Sequence, residues 1–395
     1  MRDWKIYKLN EISTLSNGLN FDKSAYTSGI KLIGVSDFKD RLYPDYDSLQ
    51  EIDAKVIRSS DYLEKGDIVF VRSNGNKELV GRCMMIDCET PVTYSGFCIK
   101  LHLTDKTRFN PVFFNYLFRT RLFKKSMTGT AVGANIQNLS QTRLGSCEVR
   151  VPNIEKQKAI ADILSRYDSL IENYQKQIKL LEESAQRLYK EWFIDLRFPG
   201  HENTKIVDGV PEGWKKKKLM DIADVVMGQS PKSEFYNSEK KGLPFHQGVG
   251  SYGFRFVDDN VYSSSLTRIA EPNSILFSVR APVGRLNFTK NKIVIGRGLA
   301  AMNHKNGSQS YLFYLLKERF FKDDIIGNGA IFASISKDEL LNQIFIVPND
   351  KLVSQFNSIV NKMDNSIQSI DTQIRFLTEA RDRLLPKLMS GEIEV

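Results

Sequence analysis

The sequence predicts a mixed α/β (α+β) chain of two pseudo-repeated globular domains joined by two long helices, which form an antiparallel coiled coil. Three observations carry this expectation. An apolar heptad seam runs from Ile160 to Trp192, the same seam recurs 196 residues later, and the segments before the two seams share strand, turn and charge patterns.

The first seam places Ile160, Leu164, Tyr167, Ile171, Tyr174, Ile178, Leu181, Ala185, Leu188 and Trp192 at alternating steps of four and three. A 3.5-residue period keeps one stripe facing a partner helix. The second seam is Phe356, Val360, Met363, Ile367, Ile370, Ile374, Leu377, Arg381, Leu384 and Leu388, interrupted only by Arg381. At the same offset Ser140 meets Ser336, Leu144 meets Leu340, Val151-Pro152-Asn153 meets Val347-Pro348-Asn349, and Asp168 meets Asp364. Chance likeness of two amphipathic helices explains the apolar steps but not the shared polar residues, so the chain is read as a duplication.

The rest of each half follows in order. Trp4-Lys5 with Leu9 and Ile12 answers Trp214-Lys215 with Leu219 and Ile222. Ile68–Val71 and Ile275–Ser278 read as strands, followed by Val80-Gly81-Arg82 and Val283-Gly284-Arg285. Ser95-Gly96-Phe97 is set against Arg297-Gly298-Leu299, and helices carry Phe113–Phe118 and Tyr311–Leu316. The domains expected are 1–152 and 214–348, each closed by a helical region, 153–198 and 349–395. Residues 199–213, with Pro199, Gly200, Gly209, Pro211 and Gly213, form the linker.

Composition narrows the function. The chain of 395 residues carries a net charge of +9. Residues 1–150 and 201–348 each carry +5, while the helical stretches are close to neutral. A polyanion contacted twice fits that division, because neutralising phosphates releases counterions. No apolar run reaches membrane-spanning length and the amino end has no signal-peptide pattern, so no membrane partner and a cytoplasmic location are expected. Cys83, Cys88, Cys98 and Cys147 lack paired CxxC spacing and read as reduced, packed thiols rather than a zinc site.

Catalytic signatures are weak. Pro44-Asp45 with Asp53-Ala54-Lys55 imitates a nuclease motif at too short a spacing, in a loop. Asn110-Pro111-Val112-Phe113 resembles an amine-binding methyltransferase loop but lacks a cofactor loop, and Asn-Pro is an ordinary helix start. Neither GxxxxGK[ST] nor HExxH occurs, and no catalytic or metal residue is assigned. The loops after the matched strands carry groups suited to base edges and phosphates. These are Arg72, Ser73, Asn74, Asn76, Lys77 and Arg82, then Arg280 and Arg285, with Arg297 on the Gly-centred segment and Asn135, Gln137 and Asn328 on a further pair of loops.

With a duplicated unit, a Val-Pro boundary and a heptad helix closing each half, the whole chain resembles the specificity subunit of type I restriction-modification systems. Arg383-Leu384-Leu385-Pro386-Lys387-Leu388-Met389-Ser390-Gly391-Glu392-Ile393 is similar to the end of that family, as are Lys65-Gly66-Asp67-Ile68-Val69-Phe70 and Ile359. The family often has Glu-Gln after the proline, whereas this chain has Lys156-Gln157 and Ser354-Gln355. The resemblance implies two target-recognition domains, each reading one half of a split site in double-stranded DNA, and a coiled coil that sets the spacer. It implies that two modification (methyltransferase) subunits dock on the helical regions and bind S-adenosylmethionine, and that restriction subunits join the full complex. This chain would then be non-catalytic and hold no cofactor. Two other readings stay open: the specificity module of a fused or type II-like methyltransferase or nuclease, and a protein-binding scaffold without DNA specificity.

Overall fold

The computed structural model describes residues 4–38, 41–75, 79–128, 138–320 and 334–395. The chain divides into two compact units, Met1–Asn173 with Gln373–Val395, and Tyr174–Thr372. Each holds one globular domain and a stretch of each long helix.

In the first unit, Lys5–Lys8 pairs antiparallel with Glu148–Val151, Lys5 opposite Val151. A four-stranded antiparallel sheet follows in the order Ser13–Asn17, Cys98–Leu103, Ile68–Val71, Cys83–Met85. Tyr26–Ile33 runs parallel to Val92–Tyr94 in a second sheet. Ile68–Val71 is buried throughout because it separates two cores. Ile68 and Phe70 face one core with Leu101 and Phe113, while Val69 and Val71 face the other with Met84 and Tyr94. A strand alternates its side chains between faces, so a strand apolar on both reads as a continuous run.

The second unit repeats this scheme pair by pair. Lys215–Lys218 pairs with Ile344–Val347, Lys215 opposite Val347. The four-stranded sheet has the order Ala223–Met227, Leu299–His304, Ile275–Ser278, Leu286–Phe288. Leu243–His246 runs parallel to Ile293–Ile295. The duplication read from the sequence therefore extends to hydrogen-bond register.

Register bears out one loop alignment and corrects another by one residue. Leu139 and Ile335 donate their N–H groups to the carbonyls of Arg72 and Val279, so Arg280 occupies the place of Ser73, as the matched strands imply. The bridges Ser73–Asn138 and Arg280–Ser334 agree. Cys98 and Leu299 donate to Ser95 and Gly296, so Arg297 takes the place of Gly96.

The shared polar residues have local causes. Ser140 and Ser336 are N-caps, accepting from the N–H groups of Arg143 and Glu339 at 3.1 and 3.3 Å. Asn153 and Asn349 accept from Lys156 and Leu352, each at 2.9 Å, and so open the long helices Ile154–Phe193 and Asp350–Ser390. Such a cap satisfies an amide that has no partner inside the helix. The Asn110 side chain likewise accepts from Phe113 at 3.0 Å, which places the Asn-Pro dipeptide at a helix start. That helix, Pro111–Arg119, sets Phe118 against Phe70 with ring centres 5.1 Å apart. Its counterpart is Gln309–Phe320.

Within the first unit, Ile160, Ala161 and Leu164 share a core with Leu388 and Met389, so the start of one long helix meets the end of the other. Within the second, Tyr189 and Trp192 pack on Phe356 with ring centres 5.8 and 5.9 Å apart, end against start. Both stretches are antiparallel. Of the seam, Ile160, Leu164, Ile171, Ile178, Ala185, Trp192, Phe356, Val360, Ile367 and Leu388 are buried. Tyr167, Tyr174, Leu181, Leu188, Met363, Ile370, Ile374, Leu377 and Leu384 are half-buried. Arg381, the interruption, lies in the first unit and meets Asp168 at 2.5 Å. Tyr189 and Phe193 lie off the seam yet are buried, because there the helix also packs against the globular domain through Tyr311. The linker is not featureless: Ile206–Val207 and Val210–Pro211 form a small hairpin, with Asp208 and Gly209 at φ 50° and 75° in its turn.

Gly81 and Gly284 make the same turn, at φ 81° and 87°, donating to the carbonyls of Val71 and Ser278. A side chain at either position meets the left-handed penalty of roughly 1–2 kcal/mol. A Cβ on Gly81 would meet the mobile Met127 Cε at 2.8 Å, whereas one on Gly284 would meet the stiffer Phe320 Cβ at 2.9 Å and the Phe320 carbonyl at 3.1 Å. Gly284→Ala should therefore lower the denaturant midpoint more than Gly81→Ala; equal losses would contradict this account of the turn.

Candidate nucleic-acid interface

Strand register brings the described candidate residues to one end of each four-stranded sheet. In the first unit Val71 donates to the Arg82 carbonyl at 2.8 Å, so Arg82 returns beside the strand that delivers Arg72. Arg72 and Ser73 donate their N–H groups to the Phe97 carbonyl at 2.8 and 3.3 Å. The Arg72 guanidinium reaches the Gly96 carbonyl at 3.5 Å. Asn74 follows, half-buried like Arg72 and Arg82. In the second unit Arg280 is exposed beside Ser334. Arg285 donates its N–H to Ser278 Oγ at 2.8 Å. Arg297 is exposed, its N–H held by Ser230 Oγ at 3.1 Å, and that hydroxyl donates to Gln247 Oε1 at 2.8 Å. Asn76, Lys77, Asn135, Gln137 and Asn328 lie outside the described residues.

At this end backbones meet without side chains between them. A Cβ on Gly18 would lie 2.2 Å from the Ser95 carbonyl, and one on Gly228 would lie 2.1 Å from the Gly296 carbonyl. Only glycine permits such an approach. Beneath the loops, Tyr94 shares a hydrogen bond with Ser16 Oγ at 2.8 Å, and burial pushes its hydroxyl up to about 12. The Cys98 thiol is pushed up to about 12 for the same reason, so it is a packed group rather than a nucleophile.

Two features escaped the sequence reading. Phe97 is 61 % exposed at the loop tip that holds Arg72, although Ser95 and Cys98 beside it in the chain are buried. Arg121, Lys124 and Lys125 are exposed on the short helix Arg121–Thr128, whose Met127 flanks the Gly81 turn. Three cations within five positions were legible as charge, but their place beside the loops depends on the fold.

The acid–base groups nearby have structural roles. His246 lies between Ser251 Oγ at 2.8 Å and Asp259 Oδ1 at 3.0 Å, but its side chain is fully buried. Burial alone would raise the Asp259 carboxyl; hydrogen bonds from His246 and Asn291 hold it below the usual carboxylate range. The group pins the turn that follows Leu243–His246 and offers no access to a substrate. Asp45 pairs with Arg41 at 2.7 Å, and Asp53 caps a short turn through the Lys55 N–H, so the nuclease-like residues are spent on local structure. Among the described residues no group of three or more His, Cys, Asp or Glu is arranged to hold a metal, and no helix is long and apolar enough to cross a membrane.

Comparison with known proteins agrees with this architecture. The family described as type I restriction modification DNA specificity domain matches residues 1–183 and 211–376, one copy on each half. The type I restriction enzyme MjaIX specificity subunit of Methanocaldococcus jannaschii is 29% identical over 296 residues, covering 71% of this chain and 68% of its own. The HindI specificity subunit of Haemophilus influenzae is 23% identical over 486 residues, covering all of both chains. Among solved structures, the type I restriction-modification S subunit of M. genitalium is similar across 98% of this chain and 96% of its own, with TM-score 0.58 and 18% identity. The chain belongs to the type I restriction-modification DNA specificity family.

Proposed function

We propose that this chain reads a bipartite DNA sequence for a type I restriction-modification complex, each globular domain contacting one half-site through the loops at its sheet end. The observation that carries this reading is the duplication of that loop-bearing end, register for register, on the two parts of the chain that hold all the excess positive charge. Backbone contacts to phosphate supply affinity and position, while a few side chains at base edges supply sequence. Arg72, Ser73, Asn74 and Arg82 are assigned to one half-site, and Arg280, Arg285 and Arg297 to the other, with Asn76, Lys77, Asn135, Gln137 and Asn328 kept as further candidates from the sequence. The antiparallel helices set the separation between the two domains. Two modification subunits dock on the helical regions and carry S-adenosylmethionine, restriction subunits join the full complex, and this chain itself holds no catalytic group. The complex works in the cytoplasm.

Binding of duplex DNA by the complex with modification subunits, measured across salt concentrations, tests the reading. Arg280→Ala or Arg297→Ala should either reduce the salt slope by about one, as a phosphate contact does, or relax one base position at a cost of about 1–3 kcal/mol. Unchanged affinity, slope and site choice in both variants would remove these arginines from the interface.

Replacing residues 1–152 with the same segment of a relative of different specificity should alter one half of the methylated sequence and leave the other intact. Alteration of both halves would contradict independent reading.

A further inference from the structure

The two aspartates that match at offset 196, Asp168 and Asp364, sit on the long helices and are each held by the globular domain of their own unit. In the first unit, Tyr116 on the helix Pro111–Arg119 donates its hydroxyl to Asp168 Oδ2 at 2.5 Å. The cation for that carboxylate comes from the other long helix, Arg381, at 2.5 Å. In the second unit, Ser310 on the helix Gln309–Phe320 donates to Asp364 Oδ2 at 2.6 Å. There the cation is Arg255 of the globular domain, 2.6 Å from Asp364 and 3.1 Å from Glu182 of the first long helix. Arg255 is 3 % exposed, and its guanidinium lies 3.8 Å from the centre of the Phe313 ring and 4.7 Å from that of Phe288.

The arginines are not equivalent residues. Arg255 accepts the Phe288 N–H on its carbonyl, as Leu42 accepts that of Met85. Met85 and Phe288 stand opposite Ile68 and Ile275 in matching strand pairs, so Arg255 occupies the place of Leu42. The seam position matching Arg381 is Ala185. Each junction thus has one carboxylate at the same place and one arginine at opposite places: on the helix in the first unit, on the globular domain in the second.

We propose that Asp168 and Asp364 are positioning residues that fix each globular domain on its own stretch of the helical pair, and that the reversed placement of the arginine assigns each domain to one end. In a chain with the two domains exchanged, the second domain would bring Arg255 to a carboxylate already matched by Arg381. The first would bring Leu42 to Asp364 and Glu182, leaving two half-buried carboxylates without a cation. A desolvated charge stripped of its partner is strongly destabilising, so a cation restored from the other side of the junction should recover the loss. The geometry stands on the junctions alone; its consequence for DNA rests on the reading proposed above.

The test rebuilds the first unit's arrangement in the second. Arg255→Leu, Ala185→Arg and the double variant are made in the full chain, with thermal unfolding followed without DNA and DNA affinity followed in the complex with modification subunits. Each single change should lower the unfolding midpoint and weaken DNA binding at least tenfold, the first by removing the cation and the second by crowding two. The double variant should recover binding to within about threefold of the parent and most of the midpoint, a coupling that independent structural damage would not produce. Additive losses in the double variant, or a neutral Arg255→Leu, would overturn the proposal. If Arg255→Leu does not fold, Arg381→Ala with and without Leu42→Arg asks the same question in the first unit, with rescue supporting the proposal and no rescue overturning it. The unfolding measurement involves no DNA, so a parent complex that read no DNA would undo the functional reading and leave the junction test intact.

Discussion

The heptad seam is the constraint on which the rest depends. A stripe repeating every 3.5 residues obliges its helix to find a partner, and here the partner is encoded in the same chain. Ile160 and Leu164 are buried with Leu388, and Trp192 is buried with Phe356. Equivalent seats are filled differently. At offset 196, Ile160 corresponds to Phe356 and Leu388 to Trp192, so aliphatic helix residues meet an aromatic domain face in one unit and an aromatic cluster forms in the other. The two junctions therefore share their seam positions but not their packing, which cores tolerate when hydrophobic character and patterning are kept.

The globular domains were legible in the sequence where physics is local. Strands apolar on both faces, such as Ile68–Val71 and Ile275–Ser278, could be read from an unbroken apolar run. Helix starts could be read from Asn110, Ser140 and Ser336 because a cap is a short-range bond between neighbours in the chain. The matched turns at Gly81 and Gly284 followed from the same logic.

What the sequence concealed is non-local. Phe97 looks like a core residue in the chain, and only the turn that follows Gly96 sends it outward. Arg381 looked like a fault in the seam because its partner Asp168 is 213 residues away. Arg255 belongs to no motif or period in the sequence, yet it is buried among rings and two carboxylates. The match of Arg297 to Gly96, rather than to Ser95, likewise emerged from hydrogen-bond register, because insertions had blurred the alignment. Long-range ion pairing leaves no period or motif behind.

The proposed reading of a bipartite site, with the helices setting the spacer, makes a prediction about distance. Seven residues inserted after Gln175 and seven after Asp371 keep the seam in register and lengthen the helical pair by about 10 Å. With one phosphate pair per roughly 3.4 Å of duplex, the unread spacer should grow by about three base pairs. Mapping the methylated sites of that variant, in complex with its modification subunits, is the most direct measurement. The account predicts unchanged half-sites across a longer spacer, at reduced affinity because the added rotation must be absorbed by DNA twist. Full activity at the original spacing would contradict it.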